Sequence, residues 1–170
     1  MKKILAATAC LQAMLVMHSA QASEAPATTG TAPPTVVADY HPSMADLMNI
    51  GIQPRHTKLG LAGQYKNWTY AAYELNELRN AFNRVAKTLP VFNSADTAAL
   101  IASMTQTPLA DLEKAIKAND AAQFTTAYRH LTEACNACHA SQNKPMIVIK
   151  VPKASMYPDQ EFQPAGAERR

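Results

Sequence analysis

The sequence predicts an all-α fold: an antiparallel four-helix bundle followed by an extended C-terminal tail. The composition favours helices, because alanine is abundant while the 170 residues include only 5 glycines and 6% aromatic residues. The periodicity agrees, since apolar residues between positions 68 and 89 recur at steps of three and four and so form one helical stripe. The length suits one domain rather than two.

Residues 1–22 have the layout of a secretory signal peptide. Lys2 and Lys3 form a basic start, an apolar run covers residues 4–17, and small residues at 20–22 offer a cleavage site. The apolar run is too short for a permanent membrane span. The formal net charge of +3 includes the two signal lysines, so the mature chain is nearly neutral, which gives no support for nucleic-acid binding. We therefore expect an exported, periplasmic protein.

Residues 23–42 are rich in alanine, threonine and proline and predict a flexible linker. The helical bundle is expected at residues 43–141, with Ser43 as the N-cap of its first helix. Gly51 and Pro54 are expected to interrupt that helix, and Pro54 suits the first turn of the part that follows.

The second helix is predicted at about residues 68–89. A third helical region is expected from an N-cap at Ser94 to Ala118, with Pro108 breaking or restarting it. Asp120 is the predicted N-cap of the fourth helix. Because the connections are short, neighbouring helices are expected to be antiparallel.

Residues 142–170 differ in character from the helices. The run at 146–151 is rich in β-branched residues, and Pro158 and Pro164 follow it. We expect an extended or irregular tail, and the sequence does not say which surface it covers.

One motif carries chemistry: Cys135-Asn136-Ala137-Cys138-His139 fits C-x-x-C-H, the signature of covalent haem attachment. Two thiols one helical turn apart reach the two vinyl groups on one edge of the porphyrin and form thioethers. His139 lies four residues after Cys135 on the same helical face, so its imidazole can bind the iron as the proximal ligand. The expected cofactor is one covalently bound haem c.

Three other interpretations compete. A thioredoxin-like redox pair belongs at a helix N-terminus, whereas this pair ends a helix. A structural zinc site needs a fourth ligand, for which only His130 and the tail are near in sequence. A plain disulfide gives the adjacent histidine no role.

The position of the motif, on the last helix of the bundle, resembles the class II c-type cytochromes: cytochrome c′ and its low-spin relatives. Too few residues follow His139 for the common first class of small cytochromes. The resemblance is strongest to a group of exported monohaem proteins and covers about residues 43–162. It is carried by the segments QPRHTKLGLAG at 53–63, NW at 67–68, AAYEL at 71–75 and the box at 135–139.

The resemblance makes the second iron ligand the open question. Cytochrome c′ leaves that position free, whereas its low-spin relatives supply a methionine from the first helix. His56 is the first candidate here, since Gly60 one turn later would let a flat ring approach; a surface or N-cap histidine is the competing interpretation. Met48 is the alternative, although it precedes the Gly51/Pro54 interruption and suits a core position. His130 lies about half a turn round the helix from His139 and is set aside.

Arg55 and Lys58 are candidates to pair with haem propionates, and Trp68 and Tyr73 to pack near the haem, although solvent exposure and core packing are the simpler explanations. No residue set indicates catalysis. The expected function is a periplasmic carrier of single electrons between redox partner proteins. The alternatives are a five-coordinate protein that binds a gas such as NO or CO, and an accessory subunit of a periplasmic oxidoreductase. Dimers are common among the cytochromes c′, so the resemblance adds a homodimer as a candidate.

Overall fold

The computed structural model describes residues 40–167. The predicted signal peptide and residues 23–39 of the predicted linker lie outside this range, as do residues 168–170. Within it the fold is mainly helical. The elements in chain order are α1 (Met44–Asp46), a π-helical segment (Leu47–Ile52, the π segment), α2 (Gln53–Gln64), α3 (Trp68–Thr88), β1 (Val91–Phe92), β2 (Ala95–Asp96), α4 (Thr97–Lys117) and α5 (Ala121–Ser141).

The first helical stretch begins where the sequence predicted. The Ser43 hydroxyl accepts a hydrogen bond from the Asp46 amide, and the Asp46 carboxylate accepts one from the Ser43 amide, so the two residues form a capping box. The expected interruption of the helix at Gly51 and Pro54 was wrong. The chain stays helical from Met44 to Gln64, and only its hydrogen bonding widens, to i→i−5, in the π segment.

Two further expectations at α4 need correction. Ser94 is not an N-cap: it adopts a left-handed conformation with Asn93 in the turn of a small antiparallel hairpin formed by β1 and β2. The N-cap is Asp96, whose carboxylate accepts from the Ala99 amide. Pro108 does not break α4, because it is buried together with Leu109 and packing holds the helix through the lost hydrogen bond.

The core lies between the four long helices, which pack in the pairs α2–α3, α3–α4, α4–α5 and α2–α5. Small residues let α2 approach α5 closely. A side chain at Gly60 would collide with the ring of Tyr128, and one at Gly63 with the ring of Phe124. The fully buried side chains of this core include Leu59, Leu78, Leu112 and Leu131.

The tail after α5 has no helix or strand between residues 142 and 167. It folds back over the helices instead. The Gln64 amide donates to the Pro152 carbonyl, Lys58 lies 4.6 Å from the ring centre of Tyr157, and Phe162 is buried beside Tyr70. The tail is therefore anchored to α2 and α3.

Candidate haem-attachment site

The C-x-x-C-H box occupies the last two turns of α5. Asp120 caps the start of this helix by accepting hydrogen bonds from the Ala122 and Gln123 amides. The helix then continues without a break to Ser141. Cys135 and Cys138 are half-buried, and neither forms a disulfide. Regular helical geometry places both thiols and the His139 imidazole on one side of α5.

The environment of the two thiols is unlike that of a reactive pair. Burial, with a smaller effect from the nearby Cys138, raises the pKa of Cys135 to about 12. Burial also raises the pKa of Cys138. Thiol–disulfide exchange proceeds through a thiolate and favours cysteines whose pKa is lowered. The site is therefore unsuited to the chemistry of a thioredoxin-like pair.

His139 has one ring nitrogen engaged by the tail. Its Nδ1 lies 2.9 Å from the carbonyl oxygen of Ile147. A carbonyl oxygen only accepts, so Nδ1 carries the proton and donates it. In the neutral ring the lone pair then resides on Nε2, which is the tautomer that binds a metal through Nε2.

Asn136, inside the motif, ties the tail to the box. Its Oδ1 accepts from the Ile149 amide at 2.7 Å, and its Nδ2 donates to the Ile149 carbonyl at 3.0 Å. The Lys144 amide donates to the His139 carbonyl at 2.8 Å. The segment from Lys144 to Ile149 is thus held against the last two turns of α5.

His56, the first candidate for the second iron ligand, has a hydroxyl oxygen of α5 at 3.0 Å from each of its ring nitrogens. Its side chain is buried, with 3% of the residue exposed. The Thr132 hydroxyl donates to the Tyr128 carbonyl, so its oxygen accepts from His56 Nε2–H at 3.0 Å. The Tyr128 hydroxyl lies 3.0 Å from Nδ1 and 2.7 Å from the His56 carbonyl oxygen, and these two acceptors share its single proton. Burial lowers the pKa of His56 to about 4, so the ring is neutral.

The structure brings His56 together with Tyr128 and Thr132 rather than with the box. Thr132 precedes His139 by two turns of α5, about 10 Å along the helix axis. The flat ring that Gly60 accommodates is the side chain of Tyr128. The sequence predicts Tyr128 on the inward stripe of α5 but did not identify Tyr128 and Thr132 as partners of His56, although they lie eleven and seven residues before His139 on the same side of the helix.

Met48, the alternative ligand, lies in the π segment and is partly buried against the core, as is Met44. Its carbonyl accepts from the Gln53 amide, which makes it part of the widened helical turn. π-Helical turns often occur at functional sites.

The two cations proposed for haem propionates have protein partners. Arg55 donates to the Gly51 carbonyl at 2.9 Å and lies 3.8 Å from a Glu77 carboxylate oxygen. Lys58 lies over the Tyr157 ring. Of the two aromatic candidates, Trp68 packs edge-on against Phe124 in the core.

The surface beside the box is apolar. The tail residues that follow α5 expose large hydrophobic side chains, with Met146 at 74% and Val148 at 58%. Exposed apolar patches usually mark surfaces that bind something.

The residues present fit a c-type haem. The donor set is two thiols and one imidazole whose Nδ1 is held by the Ile147 carbonyl, and the porphyrin is a large apolar ligand for the neighbouring surface. A structural zinc site fits less well, because residues 40–167 contain no group of three or more His, Cys, Asp or Glu side chains arranged around a metal ion. In the same range no helix combines the length and apolarity needed to cross a membrane. Comparisons with protein-family models, curated proteins and solved structures found no match to this chain.

Proposed function

We propose that the protein is a periplasmic monohaem c-type cytochrome that carries single electrons. Cys135 and Cys138 hold the haem through thioethers, and His139 binds its iron. The observation that carries this proposal is the His139 ring, whose Nδ1–H is fixed on the Ile147 carbonyl while both thiols share its side of α5. The basic, apolar and small residues at 1–22 support export.

When bound, the haem supplies an iron that accepts and releases one electron. The chain's own residues hold and tune it. The two thiols fix the porphyrin to α5, His139 directs Nε2 to the iron, and the Ile147 carbonyl keeps the imidazole proton on Nδ1. The exposed apolar side chains of the tail would shield part of the ring from water.

We further propose that the four long helices form an antiparallel bundle. Three contacts between α2 and α5 support this arrangement: Gly63 with Phe124, Gly60 with Tyr128, and His56 with Thr132. Residues nearer the start of α2 contact residues nearer the end of α5, as expected for two antiparallel helices. The same progression, continued for two turns beyond His56, reaches the π segment and the level of His139.

This progression favours Met48 over His56 as the second iron ligand. Met48 precedes His56 by about two helical turns, and His139 follows Thr132 by the same distance. His56 would have to give up its hydrogen bonds to Tyr128 and Thr132 to reach the iron, and an unsatisfied buried polar group costs about 1–3 kcal/mol. The Met48 thioether has no such bonds to lose. A six-coordinate iron of this kind suits electron transfer.

Haem staining of denaturing gels tests the attachment. The full chain is produced in a bacterium that matures c-type cytochromes, and the Cys135→Ser/Cys138→Ser variant is compared with the wild type. Ser141→Ala is the matched control, because its hydroxyl donates to the Cys138 carbonyl and accepts from the Gln142 side chain but touches neither thiol. We expect a stained band in the wild type and the control and none in the double variant. A wild-type chain without stain, or a double variant that keeps it, refutes the proposal.

The gas-binding alternative uses the same haem with the second position open. Carbon monoxide distinguishes the two functions: the reduced spectrum of a carrier with Met48 bound stays unchanged at low concentrations of the gas. A large, saturable shift in the wild type would instead favour NO or CO binding.

A further inference from the structure

Asn136 occupies a variable position of the C-x-x-C-H motif and contacts the tail. Its carboxamide forms two hydrogen bonds to the main chain of a single residue, Ile149, at 2.7 and 3.0 Å. The pair resembles one rung of a β-ladder and fixes both the position and the orientation of that peptide unit. The tail is thereby pinned to the turn that carries both cysteines.

The pinned residue lies two positions after the one that contacts the iron ligand. Ile147 accepts the His139 Nδ1–H through its carbonyl at 2.9 Å. Its own amide donates to Lys144, whose amide in turn donates to the His139 carbonyl. The loop from His139 to Ile149 thus closes on α5 at one end through Lys144 and at the other through Asn136.

Side-chain packing contributes little to holding this loop. Met146 is 74% exposed, Ile147 47% and Val148 58%. Residues 142–149 also form no helix or strand. The hydrogen bonds to Asn136 are therefore the main restraint on the Ile147 carbonyl from the C-terminal side.

We infer that Asn136 is a positioning residue for the haem iron: by clamping Ile149 it keeps the Ile147 carbonyl on His139 Nδ1–H and so lowers the reduction potential. This inference rests on the proposed function. A carbonyl that accepts the Nδ1 proton makes Nε2 a stronger donor. A stronger donor stabilises ferric iron more than ferrous iron. Loss of the clamp is expected to weaken the bond and raise the potential.

The test is a spectroelectrochemical titration of the holoprotein for the wild type and Asn136→Ala. We expect the variant to keep covalent haem and the wild-type ligand spectrum while its midpoint potential shifts to a more positive value. Asn136→Gln, which keeps the carboxamide, is expected to shift less. Gln64→Ala is the matched control, because it releases the tail at Pro152 and leaves the box intact; its potential is expected to equal that of the wild type.

Hydrogen exchange supplies a readout that does not depend on the haem. The Ile149 amide is expected to exchange faster in Asn136→Ala than in the wild type, and to stay protected in Gln64→Ala. Should Asn136→Ala fail to mature, Ile149→Pro removes the donor of the 2.7 Å bond while leaving the motif unchanged, and the same positive shift is expected.

The outcomes separate this inference from the proposed function. A wild-type chain without covalent haem refutes the function, and the inference with it. A haem-loaded Asn136→Ala or Ile149→Pro protein with an unchanged potential overturns the inference alone. A shift as large in Gln64→Ala overturns it too, because any loosening of the tail would then suffice.

Discussion

The two histidines considered as iron ligands, His56 on α2 and His139 on α5, have opposite surroundings. His56 lies in a closed region, where both ring nitrogens have partners on α5 and the side chain is 3% exposed. His139 is half-buried, and its ring is held through Nδ1, which donates to the Ile147 carbonyl. The contrast is the reason that we propose His139, rather than His56, as an iron ligand.

The surroundings of the two histidines differ in the same sense. Around His56 the glycines of α2 admit aromatic rings of α5, and the interface is tightly packed. Around His139 the tail exposes apolar side chains, such as Met146 and Val148. The first region stabilises the fold, and the second has the surface and donors to receive a cofactor.

The largest expected effect concerns the pH dependence of stability around His56. Its folded pKa of about 4 lies below the model-compound value of 6.5, because burial disfavours the charged ring. Between these values the unfolded chain binds a proton that the folded chain does not. The free energy of unfolding is therefore expected to fall by up to about 3 kcal/mol as the pH drops from 6.5 to 4.

Urea unfolding across this pH range, for the wild type and His56→Gln, isolates that contribution from those of the carboxylates. The advantage of the wild type is expected to shrink as the pH falls. His130→Gln, which replaces an exposed histidine of α5, is measured as the reference variant. If the stability of His56→Gln changes with pH in parallel with that of the wild type, the His56 ring is not buried as described.

A second prediction tests the packing of α2 on α5. Gly63→Ala places a methyl group in the ring of Phe124, and overpacking of this kind costs about 1–3 kcal/mol. Gly51→Ala is the matched control, since its methyl group meets only Ala81 at 3.9 Å. Thermal or urea unfolding measures both. Equal stability of the two variants would show that the interface is looser than described.

The smallest expected effect lies at the far anchor of the tail. Asn67 caps α3 by accepting from the Tyr70 amide and donates to the carbonyls of Phe162 and Gln163. Asn67→Ala is expected to cost about 1 kcal/mol, the usual worth of an N-cap. The exposed Asn83, replaced by alanine, provides the baseline in the same helix. If Asn67→Ala lowers the free energy of unfolding no more than Asn83→Ala does, neither the N-cap nor the tail contact of Asn67 contributes to stability.

Local signals explain what the sequence predicted well. Ser43 and Asp120 were identified as N-caps because capping depends on a side chain and amides two or three residues away. The motif at 135–139 likewise depends on spacing within one helix. Where the prediction failed locally, at Ser94 and Pro108, tertiary packing and a short hairpin overrode the preference of the single residue.

The long-range contacts of the site could not be predicted in this way. Tyr128 and Thr132 are more than seventy residues from His56, and nothing at His56 specifies them. The Ile147 carbonyl is a main-chain atom, so no residue type marks it as the partner of His139. The contacts between α2 and α5 therefore favour Met48 over His56 as the second iron ligand, whereas the sequence alone favours His56.

The most direct test of the account is the absorption spectrum of the oxidised and reduced holoprotein for the wild type, Met48→Ala and His56→Gln. The account predicts a low-spin wild type with a sulfur-to-iron charge-transfer band in its oxidised form. Met48→Ala is expected to lose the band, become high-spin and bind carbon monoxide, while His56→Gln keeps the wild-type spectrum. A wild type without the band that becomes high-spin only in His56→Gln would contradict the account, because the buried histidine would then be the ligand.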